Sequence, residues 1–172
     1  MFGKGSSRRR GQGTGIAVAV VSLAGIFAGC SFAKNDKLNQ AALAGDRVRC
    51  EALLSKGANV NGTGMHGMKP IMSGAKGASI ETVRYLVCNG ADVNAHNDSG
   101  SALMWAIDSG NEELVRFLLD NGAEVSWTNA LGQSAFDLAS ERKNTKLMVI
   151  LKSGSKSSEA EAARPRSLRS PK

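Results

Sequence analysis

The chain has 172 residues, 42% of them hydrophobic, enough for one continuous core and too few to demand a second domain. Its formal charge of +7 sits at the ends: residues 1–29 carry four cations and the stretch after Lys152 a net +3, while thirteen basic and thirteen acidic residues cancel between Cys30 and Lys152. A nucleic-acid binder needs its basic surface on the folded domain, so that class is excluded.

Residues 1–29 read as a leader. Lys4, Arg8, Arg9 and Arg10 make a basic start, and the uncharged run IAVAVVSLAGIFA is shorter than the about 20 residues of a membrane span. It ends in Phe27-Ala28-Gly29-Cys30, which resembles the lipobox of bacterial lipoproteins: an apolar residue, two small ones, then the cysteine that takes the lipid. Phe27 departs from the usual leucine. The alternatives are an uncleaved anchor with an incidental cysteine, and twin-arginine export through Ser7-Arg8-Arg9, which lacks the hydrophobic residues that should follow the pair. The resemblance implies acylation of Cys30 and a periplasm-facing place in the bacterial cell envelope. Ser31 in place of an aspartate implies the outer membrane. Residues 30–36 are then expected to form a short lipidated tether.

Helical spacing begins at Leu38. The first unit, LNQAALAGDRVRCEALLSKGANVN, is followed by a second around GMKPIMSGA and Tyr85-Leu86-Val87. The third, SGSALMWAIDSGNEELVRFLLDNG, shows the pattern best. Ser101 can cap one short helix, Gly110 ends it, and Asn111 can cap the next, with Glu112 and Glu113 in its first turn. Neither helix is long enough to be stable alone, so the unit needs neighbours. Gly57-Ala58, Gly90-Ala91 and Gly122-Ala123 recur 33 and 32 residues apart, each preceded by an apolar triplet. A fourth unit, GQSAFDLAS onward, closes the series. The tail 153–172 is polar, Ser-rich and basic, and is expected to be disordered.

A period of about 33 with this helix–turn–helix pattern resembles an ankyrin array. The resemblance implies an all-α repeat solenoid of about four repeats, at 37–66, 67–99, 100–131 and 132–152, with capping first and last copies. The family's T-P-L-H histidine is replaced by Asn39, Met72, Met104 and Asp137, and Lys143 stands where a turn glycine is usual. The third copy is one residue short between Gly100 and Gly110.

No catalytic arrangement emerges. His66 and His96 both fall in predicted hairpin tips, and the glycine-rich stretch 62–77 lacks G-x-x-x-x-G-K-[ST], its glycines falling at turn positions. No enzyme activity and no cofactor are expected. Met65, His66 and Met68, with Met72 behind them, offer soft ligands suited to copper(I), although Met72 takes an inward register position. Cys50 and Cys88 lie a repeat step and more than a helical turn apart, beyond the roughly 7 Å that a disulfide bridges, so two separate thiols are expected.

By resemblance, such arrays bind proteins on a concave face of hairpin tips and first helices. Here the face would include His66, Lys69, Lys76, His96, Asn97, Trp105, Asp108, Trp127, Thr128 and Asn129. Trp127 is expected to be exposed and Trp105 to share packing and recognition. The function implied is a membrane-anchored periplasmic adaptor, monomeric and without nucleic acid as partner. An immunity protein or inhibitor of a toxin or envelope enzyme is the alternative, and a copper-handling lipoprotein a third.

Overall fold

A computed structural model describes residues 32–162, with side chains described as far as Gly154. The leader, Cys30 and residues 163–172 lie outside it. Four antiparallel helix pairs follow one another: α1 (32–43) with α2 (Arg47–Ser55), α3 (Pro70–Lys76) with α4 (Ile80–Cys88), α5 (Ala102–Asp108) with α6 (Glu112–Asp120), and α7 (Ala135–Glu141) with α8 (Thr145–Ala162). First helices pack in one row, α3 on α5 on α7, and second helices in another, α2 on α4 and α6 on α8. This is the all-α repeat solenoid that the sequence predicts.

Local chemistry starts each helix. Asp46, Ser79, Asn111 and Asn144 each accept the N–H three residues on, at the start of α2, α4, α6 and α8. Ser101 does the same for α5, and Ser134 with Asp137 forms a reciprocal capping box on α7. The Ser134 hydroxyl and backbone N–H hold the Asp137 carboxyl below the usual carboxylate range. Pro70 opens α3, where its missing N–H costs nothing.

Between the helices of each pair one residue takes a positive φ: Gly45, Ala78, Gly110 and Lys143. In the second pair the adjacent glycine, Gly77, is not the turn residue (φ −75°). A Cβ there would run into the Leu43 carbonyl of the preceding pair, so the glycine serves close packing and the strained angle falls to Ala78. Lys143 is exposed and holds φ 52°. Lys143→Gly is therefore expected to stabilise the array by about 1 kcal/mol, since the left-handed region penalises a side chain by more than glycine loses in unfolded-chain entropy. A thermal melt checks it, and no rise in Tm would refute the strain.

Burial joins the pairs into one core. Leu38, Ile71 and Leu103 from the first helices and Leu86, Leu118 and Leu151 from the second are fully buried. Outside the helices, asparagines repeat the same clasp. Asn61 donates to the Gly90 carbonyl (2.9 Å) and accepts from Asp92 N–H (2.8 Å); Asn94 donates to the Gly122 carbonyl (3.1 Å) and accepts from Glu124 N–H (2.8 Å). Just before α5, β1 (His96–Asn97) pairs antiparallel with β2 (Gly100–Ser101).

Two boundaries differ from the sequence reading. Residues 32–36, expected as tether, belong to α1: Asn35 is buried and accepts the Asn59 N–H at 3.1 Å, and Asp36 accepts from Gln40. At the other end α8 continues to Ala162, so the tail expected to lack order from residue 153 is helical at its start. Ser153 donates to the Ile150 carbonyl, and Gly154 lies so near Leu119 that a Cβ would sit 2.9 Å from it. Composition argued against order because it counts apolar residues, whereas a helix already docked by Leu147 and Leu151 extends at little further cost. Cys50 is buried, Cys88 is exposed and both are free. Burial, with the Asp46 charge nearby, pushes the Cys50 thiol up to about 11.

Candidate protein-binding face

The row of first helices and the hairpin tips beside it form one face. Two grooves cross it. One, of about 210 Å³, lies between the first and second pairs and is lined by Asp36, Asn39, Gln40, Leu43, Met65, Met68, Ser73 and Lys76. The other, of about 230 Å³, lies between the third and fourth pairs and is lined by Ser99, Met104, Trp105, Asp108, Asn129, Leu131, Gln133 and Leu138.

Lys76 and Trp105 link the two. The Lys76 ammonium stands over the Trp105 ring, 4.7 Å from its centroid, so a cation and an aromatic face are already satisfied by each other. Trp105 is half-buried, and its indole N–H is buried without a partner among the described residues. Asp108 pairs with Arg142 across the next step. Lys69 is half-buried and reaches Asp92 at 3.8 Å.

Asn97 and Asn129 are structural rather than free. Asn97 donates to the His66 carbonyl at 2.9 Å while its oxygen accepts the Ser99 and Gly100 N–H groups. The Asn129 oxygen accepts from Leu131 and Gln133, which folds the last hairpin. Thr128 is exposed but its backbone bridges Ser134.

His96 and Trp127 form a separate pair. Their rings lie 5.0 Å apart at 37°, and they line a different depression with Asp92, Asn94, Ser101 and Glu124. Trp127 is therefore half-buried, and the expectation of a freely exposed indole is corrected: the neighbouring hairpin supplies the imidazole it leans on.

Met65 and His66 are exposed in the short 3-10 turn Met65–Gly67, with His66 at φ 57°. Met68 turns back, its sulfur accepting from Asn97 at 3.7 Å, and Met72 is fully buried. The soft-ligand cluster is thus divided between tip, groove and core. Asn39, standing for the family histidine, still donates to the Met68 carbonyl at 2.9 Å, whereas Met72 and Met104 replace that role with burial.

Sequence reasoning missed Leu131 and Leu43. Leu131 is 82% exposed at a hairpin tip, the largest exposure of any large hydrophobic side chain among the described residues. Its signal was present: a leucine between Ala130 and Gly132 has no helical partner to pack on. Ankyrin repeat is the description of the family model that matches residues 66–98, and ankyrin repeats (many copies) of the one that matches 103–151. No curated protein matches the chain.

Proposed function

Residues 66–98 and 103–151 of this chain are ankyrin repeats, and on that premise we propose a protein-binding module held at the bacterial cell envelope by an acyl group on Cys30. It grips another protein with the first-helix face and performs no chemistry of its own. One observation carries the reading of the face. Leu131 stands 82% exposed beside the half-buried Trp105, with Leu43 and Met65 exposed along the same row. Apolar side chains gathered on one rigid face mark an interaction surface. The anchor rests on the sequence, where Phe27-Ala28-Gly29-Cys30 closes the apolar run. A periplasm-facing lipoprotein sorted to the outer membrane follows from that motif and Ser31.

The test is retrieval of a stoichiometric partner from detergent-solubilised envelopes, repeated with Leu131→Asp. Loss of one exposed anchor is expected to weaken the complex roughly five- to thirtyfold, by about 1–2 kcal/mol. Stability should change by no more than roughly 0.5 kcal/mol, because the side chain is 82% exposed. Undiminished retrieval by Leu131→Asp would move the binding face elsewhere. A retrieved enzyme whose activity the array suppresses would make the module an inhibitor or immunity protein. Copper in the purified chain, lost on Met65→Ala, would favour metal handling instead.

A further inference from the structure

We infer that the outer end of the first helix pair docks on an anionic phospholipid surface; this rests on the envelope anchor proposed at Cys30. The argument starts from register. Lys37 occupies the position of Pro70, Ala102 and Ala135, and Arg49 that of Thr82, Leu114 and Leu147. All six of those residues are buried, while Lys37 and Arg49 are exposed. The local fold is the same in each pair. What covers the buried six is the preceding pair, and the first pair has none among the described residues. Lys37 and Arg49 therefore face outward from the end of the array.

The same comparison places Ala52 there. Its counterparts Tyr85 and Phe117 carry the guanidinium groups of Arg47 and Arg84 from the preceding pair, at 5.4 and 4.8 Å. Val48, one helical turn before Ala52 on α2, is 77% exposed. Lys34 sits in the first turn of α1 and its ammonium donates to the Lys56 backbone carbonyl at 3.1 Å, which adds one more cation to the pair. Of the acids in this pair, Asp46 caps Arg49 N–H and Asp36 accepts from Gln40, while Glu51 is exposed on α2. Phe32, 49% exposed, is two residues along the chain from Cys30.

A closing cap needs only polarity to stop end-to-end stacking, and acids or amides would serve equally. Here basic residues outnumber acidic ones, adjoin small apolar side chains in sequence, and begin where an acyl chain would enter the bilayer. With residues 32–36 helical, Ser31 alone separates Cys30 from the folded array. Lysine or arginine beside an anionic leaflet favours contact roughly fivefold for each residue.

The test uses the full chain inserted in vesicles of phosphatidylcholine, with or without phosphatidylglycerol. A fluorophore is placed at Ala52→Cys in a Cys88→Ser background, since the buried Cys50 thiol is protected from labelling. Quenching by aqueous acrylamide is expected to fall at least fivefold when phosphatidylglycerol is present. Lys37→Glu with Arg49→Glu should restore it, with an unchanged thermal melt. A fluorophore on native Cys88 should report no difference between the vesicles. Equal quenching at residue 52 in both vesicles overturns the docking and leaves the anchor and the first-helix face standing. The mass of the chain reports acylation of Cys30 separately, so an unmodified cysteine overturns the anchor while the quenching still decides the docking.

Discussion

Leu118→Ala lowers the stability of the array by about 2–5 kcal/mol, read as an earlier thermal or urea transition. Leu118 is fully buried, in the second half of α6, and belongs to the core that joins the helix pairs. Removing its isobutyl group leaves a cavity that rigid stacked helices cannot collapse. Trp127→Ala provides the contrast. It loses a ring contact with His96 at 5.0 Å, worth about 0.5–1.5 kcal/mol, and leaves the stacked rows intact. Partner binding by Leu118→Ala should fall only in proportion to unfolded protein. A loss below 1 kcal/mol would mean that the α6 row is not the core of the solenoid.

A chain ending at Asn144 loses more still. It lacks Leu147, Ile150 and Leu151, each at most 4% exposed, and it uncovers the α6 surface they pack on. At about 1.5–3 kcal/mol for each fully buried side chain, roughly 5–9 kcal/mol of apolar burial disappears, and the last pair should unfold. A chain ending at Gly154 keeps all three side chains and the contact with Leu119, and should melt within about 0.5 kcal/mol of the full protein. The two truncations compared by circular dichroism and protease digestion test whether the closing repeat ends inside α8. Unfolding of the longer one would show that residues beyond Gly154 hold the array.

Much of this follows from spacing. The helix caps at Ser101 and Asn111, the recurring Gly-Ala pairs and the inward leucines are local signals, each readable from a few residues, and they agree across copies. The candidate face was legible as a set of positions but not as a surface. Asn97 and Asn129 occupy tip positions that sequence treats as free, and the structure spends their amides on the hairpins themselves. Leu131 carries neither charge nor an aromatic ring, and only its lack of a helical partner marks it in the sequence.

The sequence by itself determined the repeat period, the all-α solenoid and the order of its helices, because those depend on contacts that recur between neighbours in a quasi-one-dimensional stack. Only the tertiary structure decided that Gly77 serves close approach to the Leu43 carbonyl while Ala78 takes the left-handed turn. Only it showed that α1 reaches back to residue 32 and that Trp127 leans on His96. Each of these turns on a contact between atoms about 30 residues apart in sequence, a separation across which spacing sets the register and leaves the distances to packing.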